Sequence, residues 1–316
     1  MRQTKKTKYR VAVIGTGRAG ASHARIITAD PRTQLVALAD VSAMALKKTG
    51  ALFPRAKRYA SARACLAQER PDIVVIATPP SERLSLIQLC ARFGVRAVIC
   101  EKPLALSVAQ AAAIDRVVKK SGMVFVLNYQ RRFSPLFARV RKALRSGALG
   151  KLQQVTCYYD NGLYNNGGHT IDALLYLLGA PLSVAWGRAN PRAMHPPKDP
   201  CVDAVLFTQK NIPVVLQSVD QRRFSIHDIR IVGSKGEYAL IDHGLTLVET
   251  SARASVFFTG EKELDRADAK KSRAPFGSAL AEALKHLKAG TKPQGAAQGL
   301  AVLRILESIT HAAKKK

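Results

Sequence analysis

The sequence predicts an α/β protein, with an N-terminal doubly wound parallel sheet of the Rossmann type followed by a C-terminal α+β domain. Up to about residue 127, short apolar segments alternate with helical segments, and this alternation is typical of a parallel sheet. Strand-like segments then follow one another without helices between them, which indicates an open, largely antiparallel sheet. We expect a dinucleotide-binding domain at 1–127 and a substrate and oligomerisation domain at 128–316.

The first strand, turn and helix carry a glycine pattern typical of dinucleotide binding. An apolar run is followed by three glycines with the spacing G-x-G-x-x-G, namely Gly15, Gly17 and Gly20. The first glycine permits a tight turn, the second lets the backbone approach a pyrophosphate, and the third allows the helix to pack closely on the strand. The helix then presents its first N–H groups to the anion, at Arg18, Ala19 and Gly20.

The second apolar run, Leu35–Ala39, ends in Asp40, twenty residues after Gly20. A carboxylate at this position is placed to accept a hydrogen bond from the ribose 2′-hydroxyl of an adenosine. The sequence therefore favours NAD over NADP, since a 2′-phosphate would meet a carboxylate. NADP stays open as an alternative, because Arg18 or Lys47 could reach a phosphate.

The other elements of the first domain follow from apolar runs and capping residues. Helices are expected at 42–53, 61–68, 81–93 and 107–120, and strands at 73–77, 95–100 and 124–127. Ser81 and Ser107 are the predicted N-caps of two of these helices. Ligands bind at the carboxyl edge of such a sheet, so the residues that follow the strands are candidate cofactor contacts. They are Thr78, Pro79, Glu101, Lys102 and Asn128.

The second domain is expected to begin with a basic amphipathic helix and to end with two helices that could pack back on the first domain. Helices are predicted at 136–144, 168–178, 276–289 and 296–313. Strands are predicted at 152–159, 202–207, 213–219, 229–232, 238–241, 245–249 and 256–259, and a charged loop at 261–273.

Composition narrows the class of function. The formal net charge of +28 implies attraction to polyanions, anionic membrane surfaces or an anionic substrate, although no nucleic-acid motif is found. The basic clusters at Lys5–Lys8 and Lys314–Lys316 are more simply interpreted as solvated termini. No apolar stretch reaches the roughly eighteen residues of a membrane span, and the basic N-terminus has no signal-peptide pattern. The five cysteines lack C-x-x-C spacing, so neither a disulfide framework nor a metal site is indicated. We expect a cytoplasmic protein.

Lys102 is a candidate catalytic residue because it follows a predicted buried strand. A lysine beside a nicotinamide can donate a hydrogen bond to the reacting oxygen and stabilise a developing alkoxide. The alternative is a surface lysine in a strand-to-helix turn, which the lysine-rich composition favours. Pro103 would make the turn rigid and help to fix the side chain.

Five segments together resemble the Gfo/Idh/MocA oxidoreductase family. They are GTGRAG, ATPPSERLSLI, CEKPLALS, NYQRRFSP and NNGGHTIDALLYLLG. The resemblance covers nearly the whole chain and implies an NAD(P)-dependent enzyme that acts on a CH–OH group of a sugar, cyclitol or nucleotide sugar. It also implies a catalytic Lys102, a Glu101 beside the nicotinamide ribose, and a homodimer or homotetramer.

The resemblance further implies that His169 is the acid/base residue, since the family has a D-x-x-x-H pair at this helix start. Here the residue four positions earlier is Asn165, and an amide can orient a substrate hydroxyl but cannot ionise. Tyr164 could contribute a hydroxyl. Asp172, at the family's H-x-x-D position, could contact substrate or support the helix start.

Two arginine sites leave alternatives open. Arg131 and Arg132, in the family's Y-x-R-R-F segment, could bind an acidic substrate or pair with carboxylates at the domain junction. Arg83 stands where related sequences often have histidine, and it could contact a phosphate or nothing. A different class of function is also open, because Asn165 and the positive charge are compatible with a non-catalytic, cofactor-binding regulator or scaffold.

Overall fold

The computed structural model describes residues 8–193 and 199–314, and the chain divides into two compact units. The first unit comprises residues 1–128 and 278–300, and the second comprises 129–277 and 301–316. The chain therefore returns to the first unit near its end and leaves it again after Leu300.

The first unit contains a six-stranded parallel sheet with the strand order β3-β2-β1-β4-β5-β6. Its strands are β1 (Tyr9–Ile14), β2 (Thr33–Ala39), β3 (Lys57–Tyr59), β4 (Ile73–Ile76), β5 (Ala97–Cys100) and β6 (Val124–Leu127). The helices between them are α1 (Arg18–Ala29), α2 (Ala43–Leu52), α3 (Ala62–Glu69), α4 (Arg83–Arg92) and α5 (Val108–Ser121). The predicted doubly wound parallel sheet is thus confirmed, and β3 is an additional strand.

The core of this unit consists of strands that are apolar on both faces. Every residue of β4, β5 and β6 is buried, as a sheet covered by helices on both sides requires. Ser107 caps α5 as predicted, since its hydroxyl accepts a hydrogen bond from Gln110 N. The predicted cap at Ser81 is wrong, because the proline at position 80 begins a short 3₁₀ helix, Pro80–Glu82, from which α4 continues.

The second unit contains a nine-stranded sheet in which only β7 and β10 pair in parallel among the described strands. The main strand order is β14-β13-β12-β11-β7-β10-β9-β8, and β15 pairs with β13. The elements are α6 (Pro135–Arg145), β7 (Leu152–Tyr159), α7 (Gly168–Leu178), β8 (Leu182–Ala189), β9 (Val202–Thr208), β10 (Pro213–Ser218), β11 (Asp228–Gly233), β12 (Gly236–Ile241), β13 (Thr246–Ala254), β14 (Lys262–Leu264) and β15 (Lys270–Arg273). Two helices close the chain, α8 (Ala279–Ala289) and α9 (Gly295–Ala312).

One face of the second sheet is buried and the other is partly exposed. Buried and half-buried residues alternate along β9 and β11, which is the pattern of strands covered on one side. The predicted open, largely antiparallel sheet is therefore confirmed. A π-helical turn, Gly162–Gly167, leads directly into α7, whose bounds match the prediction.

Two predictions about this unit are wrong, and one of its strands was missed. Residues 256–259 form a turn rather than a strand, because the Ser255 hydroxyl accepts from the backbone N–H groups of Phe257 and Phe258. The predicted charged loop at 261–273 contains the short strands β14 and β15, which pair with β13 through backbone groups. Strand β8, which pairs with β9, was not predicted. Of the helices within the described ranges, none combines the length and apolar composition that a membrane crossing needs.

Candidate functional site

The glycine turn after β1 is packed so closely that two of its glycines cannot be replaced without movement of the backbone. Gly15 has a φ of +89°, and a Cβ atom there would lie 2.7 Å from the carbonyl carbon of Ala77. A Cβ atom at Gly20 would lie 1.9 Å from the carbonyl oxygen of Gly15. The turn, β4 and the start of α1 therefore approach one another at a distance that only glycine allows.

Gly17 differs from the other two glycines because a Cβ atom there would meet nothing within 4 Å. Gly17 is the N-cap of α1, and in the described part of the chain no side chain caps this helix end. The N–H groups at Arg18 and Ala19 therefore belong to an uncapped helix N-terminus that adjoins open space. This arrangement fits the pyrophosphate of a dinucleotide.

Asp40 is bound to the glycine turn from the end of β2. Its Oδ2 accepts hydrogen bonds from Thr16 N at 2.6 Å and from Thr16 Oγ1 at 2.9 Å, and its Oδ1 accepts from Ser42 N at 2.8 Å. A carboxylate has about four acceptor positions, so these three bonds leave capacity for one more donor. Asp40 thus orders the turn and is half-buried beside it, where a ribose hydroxyl could still reach it.

Glu101 lies at the centre of a hydrogen-bonded group at the carboxyl ends of β5 and β6. Its Oε1 is 2.9 Å from His23 Nε2 and accepts from Asn128 Nδ2 at 2.7 Å. Burial alone would raise the pKa of Glu101, but the hydrogen bonds from His23 and Asn128 hold the pKa below its usual value. His23 was not predicted. It lies on the buried face of α1, and its position three residues after Gly20 was the only available signal.

Arg83 joins the two loops that carry Thr78 and Lys102. Its Nη2 donates to the carbonyl oxygens of Thr78 at 3.1 Å and Lys102 at 3.3 Å, and the side chain is almost completely buried. Arg83 is thus not without contacts, because the guanidinium joins two backbone segments. Its contact with a phosphate stays a prediction. The Thr78 hydroxyl is buried and makes no hydrogen bond within the described residues, which is compatible with a ligand at this edge. Pro79 follows in the same loop.

In the second unit, the predicted residues surround the start of α7. His169 is half-buried in the first turn of that helix, and the Tyr129 ring meets the imidazole edge-on with 5.5 Å between ring centroids. Asn165 lies in the preceding π-helical turn, four residues before His169. The Tyr164 hydroxyl is 3.3 Å from Thr310 Oγ1, so its hydrogen-bonding partner lies on α9.

Asp172 and Arg132 form a buried ion pair. Arg132 Nε donates to both carboxylate oxygens of Asp172, at 2.8 and 2.9 Å, and Asp172 is completely buried. Burial raises the pKa of Asp172 to about 6, although the Arg132 cation opposes this shift. Burial likewise lowers the pKa of the neighbouring Arg131 to about 10. The pairing alternative therefore describes Arg132 in this structure, and its contact with substrate stays a prediction.

The structure thus gathers the predicted residues into two groups, one in each unit. The glycine turn, Asp40, Thr78, Glu101, Lys102 and Asn128 are linked by hydrogen bonds and close packing at the carboxyl edge of the first sheet. Tyr164, Asn165, His169, Asp172 and Arg132 lie on or against α7 and the turn before it.

Two family models of one oxidoreductase family match the chain. Residues 9–129 match the model described as oxidoreductase family, NAD-binding Rossmann fold. Residues 160–316 match the model described as oxidoreductase family, C-terminal alpha/beta domain. The first match confirms the predicted class of cofactor, a nicotinamide dinucleotide.

Curated relatives align over part of their length. D-apiose dehydrogenase of Paraburkholderia graminis is 34% identical over 143 residues, which is 45% of this chain and 38% of that protein. Inositol 2-dehydrogenase of Rhizobium meliloti is 33% identical over 147 residues, 46% of this chain and 44% of that protein. The chain therefore spans less than half the length of these relatives.

A solved structure matches over nearly the full chain. The WlbA dehydrogenase of Bordetella pertussis, in complex with NADH and UDP-GlcNAcA, has a TM-score of 0.79 and 20% identity, with 98% of this chain and 97% of that chain covered. At this level of identity the likeness establishes the fold.

Proposed function

Because this chain belongs to the Gfo/Idh/MocA oxidoreductase family, we propose that it is an NAD(P)-dependent dehydrogenase or reductase acting on a CH–OH group. The substrate class that we propose is a sugar, cyclitol or nucleotide sugar, as the names of the curated relatives and of the WlbA structure suggest. The observation that supports the proposal is the hydrogen-bonded edge of the first sheet, where Glu101 and Lys102 follow β5. At the same edge, the glycine turn after β1 is open and its helix end is uncapped.

We assign cofactor binding to residues 1–127 and substrate binding to residues 128–316. Gly17 and the N–H groups of Arg18 and Ala19 would hold the pyrophosphate, and Asp40 would accept from the adenosine ribose, which favours NAD. Thr78, Pro79, Glu101 and Asn128 would surround the nicotinamide nucleoside. When bound, the nicotinamide accepts or supplies the hydride.

The protein's own groups would manage the proton and the developing charge. Lys102 would donate a hydrogen bond to the reacting oxygen and stabilise it as it becomes an alkoxide. His169 would take the hydroxyl proton in oxidation and return it in reduction, since imidazole titrates near neutral pH. Asn165 and Tyr164 would orient neighbouring hydroxyls, and Asp172 with Arg132 would hold the start of α7 or contact substrate.

We also propose a cytoplasmic homodimer or homotetramer. Val205, Phe207 and Val215 leave one face of the second sheet partly apolar and partly exposed, and a second copy could cover it. All five cysteines are buried, and the chain carries no spacing that suggests disulfides.

The first experiment is a fluorescence titration with NADH and NADPH, followed by turnover assays on a panel of sugars, cyclitols and nucleotide sugars. We expect binding of at least one cofactor, a preference for NADH, and oxidation of at least one substrate. Absence of binding by either cofactor would contradict the proposal. Binding without turnover on the panel would favour the non-catalytic regulator instead.

The second experiment tests the lysine. Lys102→Ala should lower kcat by about 100-fold or more, since general acid–base or alkoxide stabilisation contributes at least this much. Lys120→Ala is the matched control, because Lys120 is an exposed lysine at the end of α5. A Lys102→Ala enzyme as fast as the control variant would disprove the assigned role.

A further inference from the structure

The segment 199–201 binds the backbone of the turn that carries Asn165. Four consecutive N–H groups donate to it: Gly162 N to Cys201 Sγ at 3.3 Å, Leu163 N to Pro200 O at 3.1 Å, Tyr164 N to Asp199 Oδ1 at 2.8 Å, and Asn165 N to Asp199 Oδ2 at 3.0 Å. The first four N–H groups of a helix have no partner inside the helix. Here three residues distant in sequence supply all four acceptors, and Asp199 supplies two of them.

Gly162 permits this close approach of the carboxylate. Its φ is +90°, and a Cβ atom there would lie 2.2 Å from Asp199 Oδ2. Any side chain at position 162 would therefore displace the carboxylate from the turn. Asn161, the preceding residue, also has a positive φ, of 57°, so two consecutive residues with left-handed backbone lead the chain into the turn.

Asp199 brings a negative charge to a turn that has none of its own. The sequence from 162 to 169, GLYNNGGH, contains no acidic residue. The start of a helix carries a partial positive charge, which disfavours an imidazolium ion nearby. His169 lies in the second turn of this continuous helical segment, and the side chain at the position four residues before it, Asn165, is neutral. A carboxylate bound at the helix start offsets the partial charge.

We propose that Asp199 is a positioning residue for His169: it fixes the turn that carries Asn165 and supplies the negative charge that allows His169 to hold a proton. This inference rests on the proposed acid/base role of His169. In that role the imidazole must accept a proton from the substrate hydroxyl and return it, so a carboxylate at the start of its helical segment would influence the pH at which the enzyme works.

Other titratable and charged groups also act on this part of the second unit, and the test must separate them from Asp199. The Tyr129 ring meets His169, while Asp172, Arg131, Arg132 and His227 are on or against α7. Asp160 Oδ1 accepts from Asn166 Nδ2 of the same turn at 2.6 Å, so a second carboxylate contacts the turn. Asp160 and Asp203 also act on Cys201, the thiol close to Asp199.

The experiment is an NMR titration of protein labelled with ¹³C in histidine, with the His169 signal assigned by its loss in His169→Gln. Asp199→Asn keeps one acceptor oxygen but removes the charge, and the pKa of His169 should fall by about one pH unit. Adding Asn165→Asp to that variant should return the pKa towards the wild-type value, because the new carboxylate lies one helical turn before the imidazole. A residue with only a capping role would leave the pKa of His169 unchanged in Asp199→Asn.

Two further variants complete the test. Asp203→Asn is the matched control, since Asp203 also accepts from a backbone N–H and a hydroxyl, both of Ser218, and it should leave His169 unchanged. Asp199→Ser, which keeps a hydroxyl acceptor without a charge, should lower the pKa of His169 in the same way, so the proposal can be tested even if Asp199→Asn does not fold. An unchanged His169 in Asp199→Asn, or an equal fall in Asp203→Asn, would overturn the proposal.

The titration needs no substrate, so its failure is distinct from failure of the proposed function. For an active enzyme, the acidic limb of the kcat/KM profile should move to lower pH in Asp199→Asn and return in the double variant. If the pKa of His169 falls in Asp199→Asn but the wild type turns over no substrate of the panel, only the enzyme assignment is contradicted.

Discussion

His23 Nε2 lies 2.9 Å from Glu101 Oε1, so the helix that follows the glycine turn is joined directly to the Glu-Lys-Pro segment. Both side chains are largely buried, at 8% and 17% exposure. A hydrogen bond to a charged group in such surroundings contributes about 1.5–3 kcal/mol. This contact therefore couples the proposed pyrophosphate site to the loop that carries Lys102.

We expect His23→Ala to weaken NADH binding and to lower kcat/KM, each by about tenfold or more, because Glu101 loses one of its two hydrogen-bond donors. His286→Ala is the matched control, since His286 also pairs with a glutamate, Glu282 at 3.0 Å, but within α8 and with no contact to Glu101 among the described residues. Fluorescence titration and steady-state kinetics measure both quantities. Equal cofactor affinity in the two variants would show that the His23 contact has no part in binding.

The three glycines of the turn should respond differently to alanine. Gly20→Ala places a Cβ atom 1.9 Å from Gly15 O, and such overpacking should cost about 3 kcal/mol or more of the free energy of unfolding. Gly17→Ala meets no atom within 4 Å and should fold normally, while its methyl group would occupy the space proposed for the pyrophosphate. Urea denaturation and cofactor titration distinguish the two effects. Normal cofactor binding by Gly17→Ala would contradict the proposed site.

The sequence predicted those elements whose structure follows from a local pattern of apolar residues and glycines. Residues 73–76 are wholly apolar and four in number, so only a buried strand suits them. Helix α7 has apolar residues at helical spacing and ends at Gly179 with a φ of +65°, and its predicted bounds agree with the structure. The glycine spacing also predicted the tight turn at Gly15 and the close packing of the helix on the strand at Gly20.

The remaining features depend on partners far along the chain. Residues 256–259 are apolar and β-prone, yet the Ser255 hydroxyl captures two backbone N–H groups and forms a turn. Strands β14 and β15 are charged and exist because β13 offers backbone groups to both. In the site, the contacts of His23 with Glu101 and of Asp199 with Asn165 join residues 78 and 34 positions apart. No local pattern in the sequence reveals such pairs.

The Asp172–Arg132 ion pair has two predicted roles, support of the α7 start and contact with substrate. Variants that break the pair or replace both residues distinguish these roles. Asp172→Asn leaves a buried guanidinium without its carboxylate and should cost about 3–5 kcal/mol of the free energy of unfolding. Replacing both residues, as Asp172→Leu with Arg132→Met, removes both charges and should recover most of that loss. Urea denaturation measures the stability of each variant.

Kinetics on the same double variant decide between the two predicted roles. If the pair only supports the start of α7, kcat and KM should stay within a few fold of the wild type. A large rise in KM in a stably folded double variant would instead indicate that Arg132 or Asp172 contacts the substrate, which is the other role predicted from the sequence.

His227 should make the stability of the protein depend on pH. Its Nε2 is 3.0 Å from Thr170 Oγ1, and burial, together with the nearby Arg131 cation, holds its pKa well below the usual 6.5. Between these two values the unfolded chain binds a proton that the native protein does not, so the free energy of unfolding falls as pH decreases below about 6.5. The slope for one such proton approaches about 1.4 kcal/mol per pH unit.

His227→Gln replaces the titratable imidazole by a neutral amide. The difference in free energy of unfolding between this variant and the wild type should therefore change with pH. The wild type should lose stability faster than the variant between pH 6.5 and 5, and the two should run in parallel above pH 8, where neither state of His227 is protonated. Thr170→Val is the control, because it removes the hydrogen-bonding hydroxyl without removing a titratable group, and its deficit should be nearly constant with pH. Parallel curves for wild type and His227→Gln over the whole range would show that the native protein binds the proton as readily as the unfolded chain does.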